Sequence, residues 1–288
     1  MENGQSLRIV TVAFNPGDEL ANLAASLPGA TDAAYELVIV DNGTEYDVVD
    51  DVAREFDARV VRTGTNLGYG SAANRGLADA TGEWAIVVNP DVVFGDGAID
   101  AMLAATGDWP RGGAFGPLIR SEEGEIYPSA RHFPRLTTGI GHAAFSRIWP
   151  ANPFTRSYQR NSSVETAHTV DWLSGACLLL RLEAFRQVGG FDESYFMFFE
   201  DTQLGEQLKD AGWQSIFLPS AVISHAQGSS WKEKPASMLR AHHRSAARYL
   251  AGVYSASYQA PLRLMLRGGL WVRGELQVLL ARLKSLKK

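Results

Sequence analysis

The first ninety residues alternate short β-branched apolar runs with stretches in which apolar positions recur every three or four residues. Leu7 to Phe14, Leu37 to Val40, Arg59 to Arg62 and Trp84 to Val88 have the length and composition of strands. Between them, Asp18 to Ser26, Asp47 to Glu55 and Ser71 to Ala80 read as helices, with Gly82 following the last as a C-cap would. The alternation predicts an α/β fold with a largely parallel sheet. Each predicted strand runs into a polar or glycine-bearing loop: Asn15-Pro16-Gly17, Asp41-Asn42-Gly43, Thr63-Gly64-Thr65-Asn66 and Asn89-Pro90-Asp91. In open α/β sheets ligands bind beyond the carboxyl ends of the strands, so a site belongs at these loops.

The pattern changes after Glu125. No acidic residue follows until Glu165, while Arg131, Arg135, Arg147, Arg156 and Arg160 are interleaved with Phe133, Phe145, Trp149, Phe154 and Tyr158. This reads as a long functional loop or a short helical insert. Beyond it the pattern predicts a strand from Gly175 to Leu180, helices from Arg181 to Val188 and Asp201 to Ala211, and strands Ser215 to Leu218 and Ala221 to Ser224. Helical segments follow from about Ala236 to Leu250 and from Leu262 onward, the second interrupted at Gly268-Gly269.

Composition narrows the classes. A chain of 288 residues with 45% hydrophobic content can bury one large core or two small ones. Its single cysteine, Cys177 in an apolar run, excludes a disulfide framework or a cysteine metal site within one chain and reads as a small buried hydrophobe. A reducing, cytoplasmic compartment is expected, with no secretory signal and no transmembrane helix. The net charge of -5 conceals an asymmetry: from Trp231 onward twelve basic residues face two acidic ones. Such a tail calls for an anionic partner. That partner is a membrane surface or a nucleic acid, though no recognition motif points to the latter.

Candidate chemistry lies at the strand ends. Asp41 and Asp91 each follow a buried-strand pattern; each can accept hydrogen bonds from a ligand or help hold a hard cation, and each can equally cap a turn. Asn66 to Gly76 sets glycines and small residues before a helix, which suits a phosphate; it also matches the loose dinucleotide fingerprint G-x-G-x-x-A, although after the third strand where that fingerprint follows the first. Glu200-Asp201 follows the aromatic run Tyr195 to Phe199 and opens a predicted helix, as a helix cap or as a general base whose pKa burial would raise. His225, after Val222-Ile223-Ser224, reads as a packed histidine or a neutral metal ligand.

Taken together, Val10 to Asn15, Val40-Asp41-Asn42, Asn66-Leu67-Gly68, Asn89-Pro90-Asp91, Trp172 to Ala176, Gly189 to Glu193, Glu200-Asp201 and His225 to Ser230 resemble glycosyltransferase family 2. Within it they are most similar to the bacterial cell-wall rhamnosyltransferases acting on polyprenyl diphosphate-linked sugars. The resemblance implies a GT-A fold: a Rossmann-like nucleotide-binding half with a mixed central sheet, plus C-terminal helices. It implies a catalytic domain over 1–231, with a nucleotide-sugar half at 1–120 and an acceptor half at 121–231, followed by a basic helical region at 232–288 for membrane contact or dimerisation. Ala13, Asn15, Asp41, Asn66, Gly68, Asn74, Asn89 and Asp91 would line the donor, and Asp91 with His225 would hold Mg2+ or Mn2+. Asp201 would deprotonate the acceptor with Glu200 in support, and Trp172, Ser174 and Gly175 would form the acceptor lip. The usual D-x-D element has Asn89 at its first position here. The implied reaction is an inverting transfer from a nucleotide diphosphate sugar, dTDP-rhamnose by preference or another UDP or GDP sugar, to a lipid-linked saccharide. The implied place is peripheral, on the inner face of the cell membrane, with a homodimer as a further expected partner. A nicotinamide-dependent oxidoreductase and a non-catalytic sugar-nucleotide-binding module are the alternatives.

Overall fold

The computed structural model describes residues 7–136, 165–226 and 235–285. Arg147, Arg156, Arg160 and the aromatic residues between them lie outside the described residues.

The predicted alternation folds as β1 (Leu7–Ala13), α1 (Glu19–Ala30), β2 (Tyr35–Asp41), α2 (Asp47–Glu55), β3 (Arg59–Arg62), α3 (Tyr69–Leu77) and β4 (Trp84–Val88). These four strands are parallel in the order β3-β2-β1-β4. β1 and β4 are buried along their whole length, which is why they read as continuous apolar runs and not as alternating ones.

The sheet then changes direction. β5 (Val92–Phe94), α4 (Ala98–Ala105), β6 (Gly112–Arg120), the short strands β7 (Ile126–Tyr127), β8 (Ala130–Arg131), β9 (His168–Val170) and β10 (Trp172–Leu173), and then β11 (Cys177–Arg181) precede α5 (Leu182–Gln187), α6 (Glu200–Asp210) and β12 (Gln214–His225). β11 inserts antiparallel between β4 and β6, β12 runs parallel to β6, and β5 closes the edge antiparallel to β12. The mixed sheet therefore continues through both sequence halves in the order β3-β2-β1-β4-β11-β6-β12-β5. The two short strands expected after Trp213 are one strand, β12, with a register shift between Leu218 and Val222.

Each face of the sheet carries its own core. Ile9, Leu27, Ile39, Ile86, Met102 and Phe115 belong to one; Val10, Val40, Leu178, Leu180, Phe185 and Phe217 belong to the other. Burying a side chain of this size contributes roughly 1.5 to 3 kcal/mol. Gly76 lets α3 close on the sheet, because a Cβ there would stand 2.4 Å from a Val10 methyl. Cys177 is fully buried, and burial pushes its thiol pKa up, so it is a core residue and no nucleophile.

α7 (Pro235–Val253) and α8 (Ala260–Ser285) pack on each other, pinned by a two-pronged Arg240–Glu275 ion pair at 2.7 and 2.8 Å. The expected break at Gly268-Gly269 is corrected: α8 runs through both glycines. A glycine costs a helix about 1 kcal/mol against alanine but removes no backbone hydrogen bond, so flanking helix-formers carry the helix across. α7 is fastened to the body at Tyr249, whose hydroxyl accepts from Arg135 and donates to Glu206, and at Ser245, which donates to the Met197 carbonyl at 2.7 Å.

Candidate active site

Strand register gathers the expected side chains on one edge. Asp41 ends β2 opposite Ala13 and Arg62, Val88 at the end of β4 faces Cys177 at the start of β11, and His225 at the end of β12 faces Val92. Because β11 runs against β4 and β5 against β12, their N-termini meet the C-termini of β4 and β12, on the edge where β2 also ends. The 89–91 and 174–176 turns therefore share this edge, and Asn89 N–H donates to the Ala176 carbonyl at 2.9 Å.

At the β1–β2 end, Asp41 is buried. Its Oδ1 accepts from Gly43 N–H at 3.2 Å, while Oδ2 lies 3.6 Å from Arg62 Nε, an ion-pair distance without a hydrogen bond. Oδ2 is buried and accepts no hydrogen bond from the described residues. Asn15, held at φ 46°, accepts at Oδ1 from Thr44 and Glu45 N–H and ties the β1 loop to the β2 loop. Ala13 is fully buried and its carbonyl accepts from Asn42 N–H at 2.8 Å.

The Asn66 to Gly76 segment does different work from that expected. Leu67 N–H donates to Asn42 Oδ1, Gly68 N–H to Asn66 Oδ1 and Tyr69 N–H to the Phe196 carbonyl, so these amides are taken before any phosphate arrives. The N–H groups of residues 67–69 are therefore engaged within the protein. Gly68, at φ 84°, is required by close approach, since a Cβ would stand 2.0 Å from the Phe196 carbonyl oxygen. Asn74 is likewise engaged, donating to the Phe191 carbonyl and Glu193 and accepting from Phe191 N–H. The segment clamps the loop that leads into α6.

Asp91 and His225 converge. Asp91 Oδ1 lies 3.0 Å from His225 Nε2, and Asn89 Nδ2 is 3.3 Å from the same nitrogen. Both residues are nearly buried, and His225 Nδ1 is buried without a hydrogen-bond partner. A carboxylate oxygen and an imidazole nitrogen 3.0 Å apart have the chemistry and spacing of two ligands to one divalent cation. Among the described residues no group of three or more His, Cys, Asp or Glu is placed to hold a metal alone, so ligand oxygens would complete the shell.

Glu200 and Asp201 open α6 after Phe198 and Phe199, both in left-handed backbone at φ 67° and 69°. Such a conformation costs of order 1 kcal/mol or more for each residue and persists only where packing holds it. Here the ring of Phe199 lies against Tyr249 and His242 of α7. Asp201 accepts from Gly175 N–H at 3.0 Å, Thr202 N–H at 2.7 Å and Thr202 Oγ1 at 3.3 Å. A carboxylate has about four lone-pair sites, so one remains. Desolvation raises its pKa, against the opposing pull of those donors and of Arg131. Glu200 is more deeply buried; desolvation, then the charge of Asp201, push its pKa well up, and its Oε2 has no partner.

At the expected acceptor lip, Gly175 holds Asp201 through its N–H, Ser174 N–H donates to the Ser129 carbonyl, and Trp172 Nε1 donates to the His132 carbonyl. Two residues that sequence reasoning passed over belong here. The Tyr69 hydroxyl donates to the Gly175 carbonyl at 2.6 Å, and the charges of Glu200, Asp201 and Asp91 all add to the burial that raises its pKa. All three carboxylates are therefore within electrostatic reach of its hydroxyl. Arg131 sits opposite Trp172 in the β8–β10 pair. Neither had a strand-end signal: Tyr69 lay within a glycine-rich run and Arg131 among five arginines.

A mixed sheet of this topology, with buried Asp41, the Asp91–His225 pair and the helix-opening Glu200–Asp201 on one edge, has the GT-A glycosyltransferase architecture. The Glycosyl transferase family 2 model matches residues 8–189 and the Glycosyl transferase family group 2 model residues 142–286, and the chain belongs to glycosyl transferase family 2. It is 45% identical over 284 residues to the N-acetylglucosaminyl-diphospho-decaprenol L-rhamnosyltransferase of Mycobacterium tuberculosis, spanning 94% of this chain and 92% of that relative. It is 23% identical to Rhamnosyltransferase WbbL of Escherichia coli K12, over 84% of this chain and 92% of the relative. Among solved structures, GalNAc-T7 with UDP, GalNAc and Mn2+ superposes with a TM-score of 0.62 at 16% identity, covering 90% of this chain and 50% of that one, and shows the shared fold.

Proposed function

We propose that this chain transfers L-rhamnose from dTDP-rhamnose to an N-acetylglucosaminyl diphosphate carried on a polyprenol, with inversion at the anomeric carbon. The observation that carries the reading is the sharing of one sheet edge by the Asp91–His225 pair, whose turn is tied to Ala176 through Asn89 N–H, and by Asp201, which accepts from Gly175 N–H. The mycobacterial relative supports the choice of sugar and acceptor.

Asp201 takes the proton from the acceptor hydroxyl through its one open lone-pair site. As that proton leaves, the hydroxyl oxygen bonds to the anomeric carbon and the bond from that carbon to the diphosphate breaks, in a single displacement. Glu200, buried and with a raised pKa, keeps a second negative charge from accumulating beside the base. Asp41 lines the nucleoside end of the donor, and Asn89 hydrogen-bonds donor oxygens. Asp91 and His225 would hold Mg2+ or Mn2+, which when bound neutralises charge on the diphosphate. The proposed nucleotide-sugar half, 1–120, and acceptor half, 121–231, share one sheet, their strands interleaving at the β4–β11, β11–β6, β6–β12 and β12–β5 pairs. The test is a screen of dTDP, UDP and GDP sugars with N-acetylglucosaminyl diphospho-prenol. Transfer from dTDP-rhamnose with inverted configuration, read by proton NMR, is expected; preferential use of a UDP or GDP sugar would overturn the donor assignment.

No helix among the described residues is long and apolar enough to cross a membrane. α8 nevertheless exposes Leu264, Met265, Trp271 and Leu279 on a helix that also carries Arg263, Arg267 and Arg273. We propose that this face rests on an anionic bilayer on the inner side of the cell membrane, where the lipid-linked acceptor is presented. Flotation with anionic liposomes should be lost in a Trp271→Ser, Leu279→Ser variant. Undiminished flotation would reject this anchor, and loss of a homodimer in that variant would assign the face to dimerisation instead.

A further inference from the structure

Arg131 is built like a receptor for an anion, and its place beside the base says which one. Its Nε donates to the Pro128 carbonyl at 2.8 Å and its Nη2 to the Tyr127 hydroxyl at 2.9 Å. The guanidinium lies 5.3 Å from the centroids of both the Tyr127 and Trp172 rings. A planar fork fixed at two donors and set against two rings has surrendered its rotational freedom before any ligand binds, which is what a tight diphosphate contact requires. Of its five N–H donors, Nε and one on Nη2 are used; Nη1 has no hydrogen-bond partner among the described residues.

No carboxylate among the described residues lies within ion-pair distance of Arg131, and the sequence contains no acidic residue from 126 to 164. The nearby Arg135 differs on this point, since it is paired with Glu206 at 2.6 Å. A partly buried guanidinium without a carboxylate is an expensive arrangement that an anionic ligand relieves.

The β8–β10 pair fixes the direction of the argument. Arg131 faces Trp172, and three residues later Gly175 N–H grips Asp201. The charge of Arg131 is felt at Asp201, which places the arginine at the base end of the site, whereas Asp91 and His225 serve the donor end. We propose that Arg131 binds the diphosphate of the acceptor, so that the sugar hydroxyl to be glycosylated is held at Asp201. The contact would select acceptors carrying a diphosphate over neutral glycosides. This rests on the acceptor reading proposed above.

The test compares wild type with Arg131→Gln and Arg131→Lys in the full chain on two acceptors, N-acetylglucosaminyl diphospho-prenol and an uncharged alkyl N-acetylglucosaminide. Arg131→Gln is expected to raise KM for the diphosphate acceptor at least about tenfold, with donor KM and the KM of the neutral glycoside little changed, and Arg131→Lys to recover part of the loss. A shift in the acid limb of the pH profile would follow from either role, so the KM split is the discriminating readout. Equal losses on both acceptors would overturn the proposal in favour of support for Asp201, and a loss confined to donor KM would assign Arg131 to the donor diphosphate. Binding of geranyl diphosphate in EDTA buffer separates this inference from the acceptor reading: weaker binding by Arg131→Gln upholds the subsite even if the saccharide acceptor proves wrong, and unchanged binding overturns it.

Discussion

Asp91 and Asp201 lie on the same edge of one sheet and have been given opposite surroundings. Asp91 leaves β4 in a short turn and meets an imidazole at 3.0 Å, so its charge is answered by a ligand-type partner. Asp201 opens a helix behind two strained phenylalanines, beside a buried Glu200 and near Tyr69, and only backbone and hydroxyl donors answer it directly. The first environment suits a carboxylate that shares a cation. The second raises the pKa and suits a carboxylate that gains and gives a proton. Residue type does not separate the two roles; the neighbours do.

The sharpest way to break this contrast is Asp201→Asn. Turnover should fall about 10³-fold or more, with donor affinity by calorimetry essentially retained; near-normal transfer would remove Asp201 as the base. Asp91→Ala should act in the other direction, weakening donor binding about tenfold or more when magnesium or manganese is present and hardly at all in EDTA. Binding that is equal to wild type in both buffers would remove Asp91 from the cation site.

A smaller effect should be visible in pH. Because burial raises the Asp201 pKa, the acid limb of kcat/KM should lie above the ordinary aspartate value of about 4; activity is lost as pH falls through it. Smallest is a stability effect at Glu200. Its folded pKa is raised, so its favourable contribution is present below the unfolded value and is lost as pH rises through the folded one. Glu200→Gln escapes that loss, and its melting temperature should exceed that of wild type by about 2 °C or more at neutral pH, the gap closing towards pH 4. A gap independent of pH would show that Glu200 is not held in the protonated form.

Legibility followed the range of the forces involved. The bounds of α2, β3 and β4 agree with the apolar pattern because period and turn chemistry are local. β6 was invisible, although it is central and eight of its nine residues are buried, because Gly112, Gly113, Gly116 and Pro117 look like punctuation. Its glycines answer to packing: a Cβ at Gly112 would stand 2.2 Å from the Phe115 ring, one at Gly113 2.9 Å from Trp213, and one at Gly116 2.8 Å from Leu173. The same limit applied in the site. Asp41, Asp91 and His225 could be read from strand ends, whereas Tyr69 and Arg131 acquire their positions from partners far away in the chain or across a short strand pair.

The amino-acid sequence by itself determined the strand and helix periods of the first ninety residues, the loops that bear polar groups and the basic bias of the tail, since each depends on neighbours a few residues apart. Only the tertiary structure decided that the glycine-rich segment clamps the Phe196 loop and leaves no open cradle at residues 67–69. It alone set the proton affinities of Glu200 and Asp201. Desolvation is a property of everything packed around a group, and most of what packs around these two comes from other strands and helices.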